Sequence, residues 1–175
     1  LFPGTGAAIR QLNRAGIPAI VITNQPVIAR GEANFADVDA VHRRLEHLLA
    51  EDGAFLDAIF YCPHHPDKGF KGERPELKIV CDCRKPATGL IDQACELFTI
   101  DRANSWLIGD HDRDLECATN AGLKSVLVQT GPSVGSLKSA TQPIFTAPNA
   151  AAAITQILKH LGHADKLEAA NSKAE

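Results

Sequence analysis

Ile17-Pro18-Ala19-Ile20-Val21-Ile22-Thr23 decides the fold. It is an apolar run of strand length, rich in β-branched residues. It reads as a strand buried on both faces, as in a parallel sheet. Upstream, residues 4–15 carry Ala7, Ala8, Ile9 and Leu12 at near-helical spacing, and Gly16 is a stop signal. Downstream, Asn34 can cap a helix through about Ala50. That helix sets Phe35, Val38, Val41, Leu45, Leu48 and Leu49 on one side, with Gly53 as its end. Residues 57–61 form a second predicted strand. Pro86 opens a helix that turns Leu90, Ile91, Ala94, Leu97 and Phe98 inward. Residues 105–109 are a third strand and 113–122 a helix. Residues 125–129 are a fourth strand, 142–146 a weaker fifth, and 149–161 a last helix. The alternation gives a single α/β domain over residues 1–161, with a mainly parallel sheet and right-handed crossovers. Residues 162–175 are polar, Ala-rich and expected to fray.

In such a sheet, ligands bind beyond the carboxyl ends of the strands. The residues placed there are Thr23-Asn24-Gln25, Cys62-Pro63-His64 and Asp110-His111-Asp112-Arg113-Asp114. Thr23 offers a hydroxyl and Asn24 an amide, both suited to a phosphate or a developing oxyanion. Asp110, with Asp114 one turn on, offers carboxylates of the kind that hold magnesium with few protein ligands.

Cys62 and His64 form one ligand pair, and Cys81 and Cys83 a second. Three thiolates and one imidazole close a tetrahedral zinc shell with no open position, which marks a structural metal. The second pair runs into Arg84-Lys85, so a zinc loop over residues 62–83 would fix two cations in space. Between the pairs, Lys68, Lys71, Arg74 and Lys78 read as a solvated loop, with a basic lid over an anionic sugar as the alternative. The five cysteines are an odd count, and Cys95 and Cys117 read as buried thiols. A disulfide framework is disfavoured and a reducing compartment expected.

The chain has 175 residues, 45% of them hydrophobic, enough for a full core. Its formal net charge of −3 argues against nucleic acid or an anionic membrane as partner. It holds no apolar run of membrane-spanning length and no signal-peptide pattern. A cytoplasmic monomer acting on a small molecule is expected.

These blocks, in this order, resemble the haloacid-dehalogenase (HAD) superfamily. They are Thr23-Asn24-Gln25, Ala29-Arg30-Gly31, Cys62-Pro63-His64-His65-Pro66, Cys81-Asp82-Cys83-Arg84-Lys85-Pro86, and Gly109-Asp110 with Asp114. The branch most similar is the D-glycero-D-manno-heptose 1,7-bisphosphate phosphatases, with the related histidinol-phosphate phosphatases. The resemblance implies a HAD-like Rossmannoid three-layer sandwich with a small zinc-binding loop and no large cap domain. It also implies a sugar-bisphosphate substrate, Mg2+ and Zn2+. Thr23 and Asn24 would bind the transferring phosphoryl group, and Lys85 would neutralise its charge. Gln25, Arg30, Arg84 and His111 would face substrate. Asp110 would bind magnesium, with Asp114 supporting Lys85 or the metal loop. His111 stands where the bisphosphatases often carry lysine, and Pro26 where the family often has a small hydroxyl residue.

The resemblance also implies an Asp-x-Asp pair at the end of a central strand. One Asp would attack phosphorus and form an aspartyl-phosphate, and the other would work as acid and base. Asp37-Val38-Asp39 has the right letters but lies in an amphipathic helix and reads as a solvated face. A strand and loop, on the order of 20–30 residues, are therefore expected before Leu1, and the chain by itself is expected to be inactive. Histidinol phosphate is the alternative substrate. A non-catalytic, zinc-stabilised module that binds phosphorylated ligands or a partner is the alternative outside enzymology.

Overall fold

The computed structural model of the protein describes residues 1–131 and 141–163. The expected tail falls almost wholly outside the described residues. Strands and helices alternate from α1 (Thr5–Arg14) and β1 (Ile20–Asn24) to α2 (Phe35–Glu51) and β2 (Ala58–Cys62). They continue through α3 (Gly89–Leu97), β3 (Trp106–Gly109), α4 (Asp112–Ala121) and β4 (Lys124–Val128) to β5 (Phe145–Ala147) and α5 (Ala150–His160). Every expected element is present, with ends moved by a few residues.

Local chemistry explains the ends. Asn34 accepts from Asp37 N–H while the Asp37 carboxylate accepts from Asn34 N–H, a reciprocal cap that starts α2. Asn149 caps α5 through Ala152 N–H. Gly122 ends α4 at φ 74°, a left-handed conformation open to glycine at no steric cost. β1 starts at Ile20 because Pro18 lacks an N–H and Ala19 N–H is taken by the Asp57 carboxylate. α3 starts three residues after Pro86, since Gly89 N–H first closes a turn onto Asp82 O.

All strand pairing is parallel, but among the described residues it falls into two sheets. β1 pairs with β2, and β4 lies between β3 and β5. β1 and β3 each have one ladder partner and do not bond to one another. This corrects the expectation for β1. All five of its residues are only half-buried, because its second edge carries no strand.

Helices cover both faces. α3 and α4 pack on one side, where Ile91, Leu107, Cys117 and Ala118 form a core that Ile22 of β1 joins. α1, α2 and α5 lie on the other. There Ala8, Ile154 and Leu158 meet Ile108, and Val126, Val128, Ala153 and Ile157 meet Trp106 and Phe145. Alternate residues of β3 thus serve opposite layers, as a pleated strand requires. α2 is less engaged than its pattern suggests. Only Val38 and Leu49 are buried, Val41 is exposed, and Phe35 lies under the Arg74 guanidinium. Leu97 of α3 is also exposed rather than inward. No helix among the described residues is long and apolar enough to cross a membrane.

Candidate active site and metal centre

The expected residues stand at or just beyond the carboxyl ends of β1, β2 and β3, where contacts join the Cys/His quartet and, separately, Asn24, Lys85 and Asp114. Cys62 ends β2, and its Sγ lies 3.7 Å from His64 Nδ1 and 3.6 Å from Cys81 Sγ. His64 Nδ1 is 3.3 Å from Cys83 Sγ, and the Cys81 and Cys83 sulfurs are 3.3 Å apart. All four ligand atoms lie within 4.8 Å of one another. A tetrahedron with Zn–S bonds of about 2.3 Å has sulfur–sulfur edges of roughly 3.8 Å. The donor set is compatible with a zinc-sized tetrahedral ion, with the Cys81–Cys83 edge about half an ångström shorter than that ideal. Burial foremost pushes the Cys62 and Cys83 thiols up.

Hydrogen bonds and one ion pair hold the Arg84-Lys85 segment. Arg84 Nη1 donates to His64 O at 3.2 Å. Asn24, at the end of β1, brackets the Lys85 backbone: Lys85 N–H donates to Asn24 Oδ1 (3.0 Å) and Asn24 Nδ2 donates to Lys85 O (3.1 Å). One N–H of the Asn24 amide remains for a ligand. The Lys85 ammonium is 2.7 Å from Asp114 Oδ1 and donates to Ile22 O at 2.9 Å. The other Asp114 oxygen accepts from His111 N–H and caps α4. Gly109 is required here, since a Cβ on it would collide with the Asp114 side chain.

Asp110 follows β3 directly. Its carboxylate lies under the Gly131 backbone, at the position a Cβ on Gly131 would occupy, and Gly131 has φ 127°. A lone carboxylate in a glycine-walled cradle suits a hydrated Mg2+ held by few protein ligands. Thr23 Oγ1 accepts from Gln25 Nε2 at 3.3 Å, so Gln25 steadies Thr23. Arg30 lies 5.4 Å from the Phe70 ring and 3.6 Å from Glu32. His111 caps α4, accepting Arg113 N–H on Nδ1 at 3.3 Å. Asp37 and Asp39 sit on α2, one in a cap and one beside Tyr61, as the helix reading holds.

The loop between the ligand pairs is not solvated throughout. Phe70 gathers the Lys78 ammonium at 4.5 Å, Arg30, and the His65 ring at 5.5 Å. Lys78 is buried and faces Glu73 at 3.5 Å. Arg74 N–H donates to Ala29 O, and Gly31 packs so closely on Gly72 O that no Cβ fits. Sequence reasoning missed this core, because one aromatic among four cations has no periodicity to flag it. It also passed over Gly131.

A family model for HAD-hydrolase-like proteins matches residues 82–161. The D-glycero-beta-D-manno-heptose-1,7-bisphosphate 7-phosphatase of Pseudomonas putida is 42% identical over 130 residues, 74% of this chain and 68% of its own. The chain belongs to this phosphatase family of the HAD-like hydrolases. A Thermosynechococcus vestitus family member, named D-glycero-D-manno-heptose-1,7-bisphosphate 7-phosphatase, is 38% identical over 172 residues, covering 92% of this chain and 84% of its own. The solved D,D-heptose 1,7-bisphosphate phosphatase of B. bronchiseptica, complexed with magnesium and phosphate, superposes with TM-score 0.74 at 33% identity. That match covers 91% of this chain and 84% of the other. The HAD-like α/β fold expected from the motifs is therefore established, with no large cap among the described residues.

Proposed function

We propose that the protein is a magnesium-dependent phosphoric monoester hydrolase acting on a sugar bisphosphate, with D-glycero-D-manno-heptose 1,7-bisphosphate as substrate. The observation that carries this reading is the Lys85 ammonium, held by Asp114 and Ile22 O between the ends of β1 and β3, with its backbone bracketed by Asn24. The names of the relatives supply the substrate class.

Thr23 Oγ1 and the free Asn24 N–H would donate to oxygens of the transferring phosphoryl group, and the adjacent ammonium would neutralise its growing charge. Such preorganised donors act most strongly where water is excluded. Asp110 would hold Mg2+, which when bound supplies further positive charge to the phosphoryl oxygens. Cys62, His64, Cys81 and Cys83 would hold a structural Zn2+ that fixes Arg84 and Lys85.

None of Asp114, Asp37 and Asp39 is placed to attack phosphorus: Asp114 is spent on Lys85 and His111, and the other two lie on α2. The attacking carboxylate implied by the resemblance would come from an Asp-x-Asp pair on a strand set between β1 and β3. Its oxygen would bond to phosphorus while the sugar oxygen leaves with a proton from the second Asp. That second Asp would then take a proton from the water that cleaves the aspartyl-phosphate.

The test is phosphate release by the full-length protein from heptose 1,7-bisphosphate, fructose 1,6-bisphosphate and histidinol phosphate, with magnesium. Preferential turnover of the heptose compound supports the reading. Preference for histidinol phosphate would overturn the substrate. Tight binding of bisphosphate without release would instead favour a non-catalytic module.

A further inference from the structure

The five cysteines are all free of disulfide bonds, and among the described residues only Cys62, Cys81 and Cys83 contact another sulfur. Cys81 is common to both short pairs, with its Sγ 3.3 Å from Cys83 Sγ and 3.6 Å from Cys62 Sγ. Access separates them. Cys62 ends β2 and is fully buried, while Cys81 is half-buried. The Cys81 turn faces water, with Val80 86% exposed before it and Asp82 exposed after it. The remaining thiols lie elsewhere. Cys117 is buried and donates Sγ–H to Ala87 O, and Cys95 packs on the core between α3 and α4.

The same turn is tied to its surroundings on both sides. Asp82 O accepts from Gly89 N–H at 2.8 Å, and a Cβ on Gly89 would collide with it. Directly after Cys83, Arg84 Nη1 donates to His64 O, and the next side chain is the Lys85 ammonium that pairs with Asp114. A change of bonding at Cys81 and Cys83 is therefore passed along the backbone to Lys85. A zinc ion in the quartet needs its cysteines as thiolates, and the thiolate is the form that attacks an oxidant.

We propose that Cys81 and Cys83 form a reversible oxidation site for hydrogen peroxide, which releases the zinc and slackens the Lys85 segment; the proposal rests on zinc occupying the quartet. The Cys81 thiolate, the more accessible one, attacks a peroxide oxygen. The O–O bond breaks, leaving Cys81 as a sulfenic acid and releasing hydroxide. The Cys83 thiolate then attacks the Cys81 sulfur. The S–S bond forms and the S–O bond breaks, releasing a second hydroxide. Two electrons pass from the two sulfurs to the peroxide, and two protons from solvent turn both hydroxides into water. Only Cys62 and His64 are left as ligands, too few for a closed tetrahedral shell, so the ion leaves. A dithiol reductant restores the two thiols by exchange, and zinc can rebind.

The test titrates the zinc-loaded full-length protein with hydrogen peroxide, follows zinc release with a chromophoric chelator, and weighs the tryptic peptides. Cleavage after Lys78 and Arg84 places Cys81 and Cys83 in one peptide, residues 79–84. About one equivalent of zinc should appear as that peptide becomes lighter by two hydrogens, with Cys95 and Cys117 unmodified. Amide exchange across residues 82–86 should quicken at the same time, and a dithiol followed by zinc should reverse all three changes. A Cys95→Ser variant should respond as the wild type does. Zinc retained under peroxide, zinc lost without the Cys81–Cys83 disulfide, or loss that reductant and zinc do not reverse would overturn the proposal. Unchanged amide exchange would overturn the link to Lys85. None of these readouts needs phosphate release, so a failure of the phosphatase reading leaves them standing. Protein that binds no zinc before treatment would overturn the oxidation site together with the metal assignment.

Discussion

Lys85 Nζ lies 2.7 Å from Asp114 Oδ1, and the two side chains keep only 12% and 7% of their exposure. With the bond to Ile22 O, this pair ties the zinc loop, β1 and α4 together at one point. Removing one partner of a buried pair costs about 3–5 kcal/mol, because the other charge is left uncompensated. Asp114→Ala should lose that much in denaturant unfolding, having also lost the α4 cap. Lys85→Ala should lower kcat of the full-length enzyme at least about 100-fold. A Lys85→Ala enzyme with near wild-type kcat would contradict the role given to the ammonium.

Zinc removal should act on the same point from the other side. Cys81→Ser or Cys83→Ser should reduce bound zinc below one equivalent by elemental analysis and lower the melting temperature. The Arg84–His64 bond should loosen with it, seen as faster amide exchange across residues 82–86. Structural zinc sites contribute folding free energy outright, so chelation of the wild type should reproduce the variant. Full metal content in both variants would show that the cluster does not hold the metal.

Gly131→Ala tests the magnesium cradle. The added methyl meets Asp110 Oδ2, and the φ of 127° is one that side chains rarely adopt. We expect a weaker magnesium dependence of activity, with the half-saturating concentration raised about tenfold or more. An unaltered magnesium titration would show that Asp110 is not the ligand.

Glu73 makes part of the zinc loop sensitive to acid. Its carboxylate is held below the ordinary value of 4.5, by Phe70 N–H foremost, then by Gly69 N–H and Lys78. A depressed folded pKa contributes stability that is complete above the unfolded value and lost as pH falls through the folded one. The Gly69 and Phe70 amide resonances should therefore titrate together with a midpoint below 4.5, and the transition should vanish in Glu73→Gln. A midpoint at or above 4.5 would show that these bonds do not form in solution.

Legibility in the sequence followed the range of the interaction. The cap at Asn34 and the helix end at Gly122 are local, and the spacing of residues revealed them. The metal ligands were legible because each i,i+2 pair is itself local, while their distance from one another was not. The half-burial of β1 and the exposure of Val41 and Leu97 were illegible, because apolar periodicity marks a face without saying what covers it. Lys78 was read as solvated because a lone lysine in a polar loop carries no sign of a ring beneath it.

Hydrolysis of a phosphate ester of a sugar bisphosphate, with magnesium, is the activity proposed for this site. Its most direct measurement is inorganic phosphate released from D-glycero-β-D-manno-heptose 1,7-bisphosphate by the full-length protein, with the product identified by phosphorus NMR. Magnesium-dependent, saturable release that leaves the 1-phosphate on the sugar is the expected result. Binding of the bisphosphate with no release, at any magnesium concentration, would contradict it.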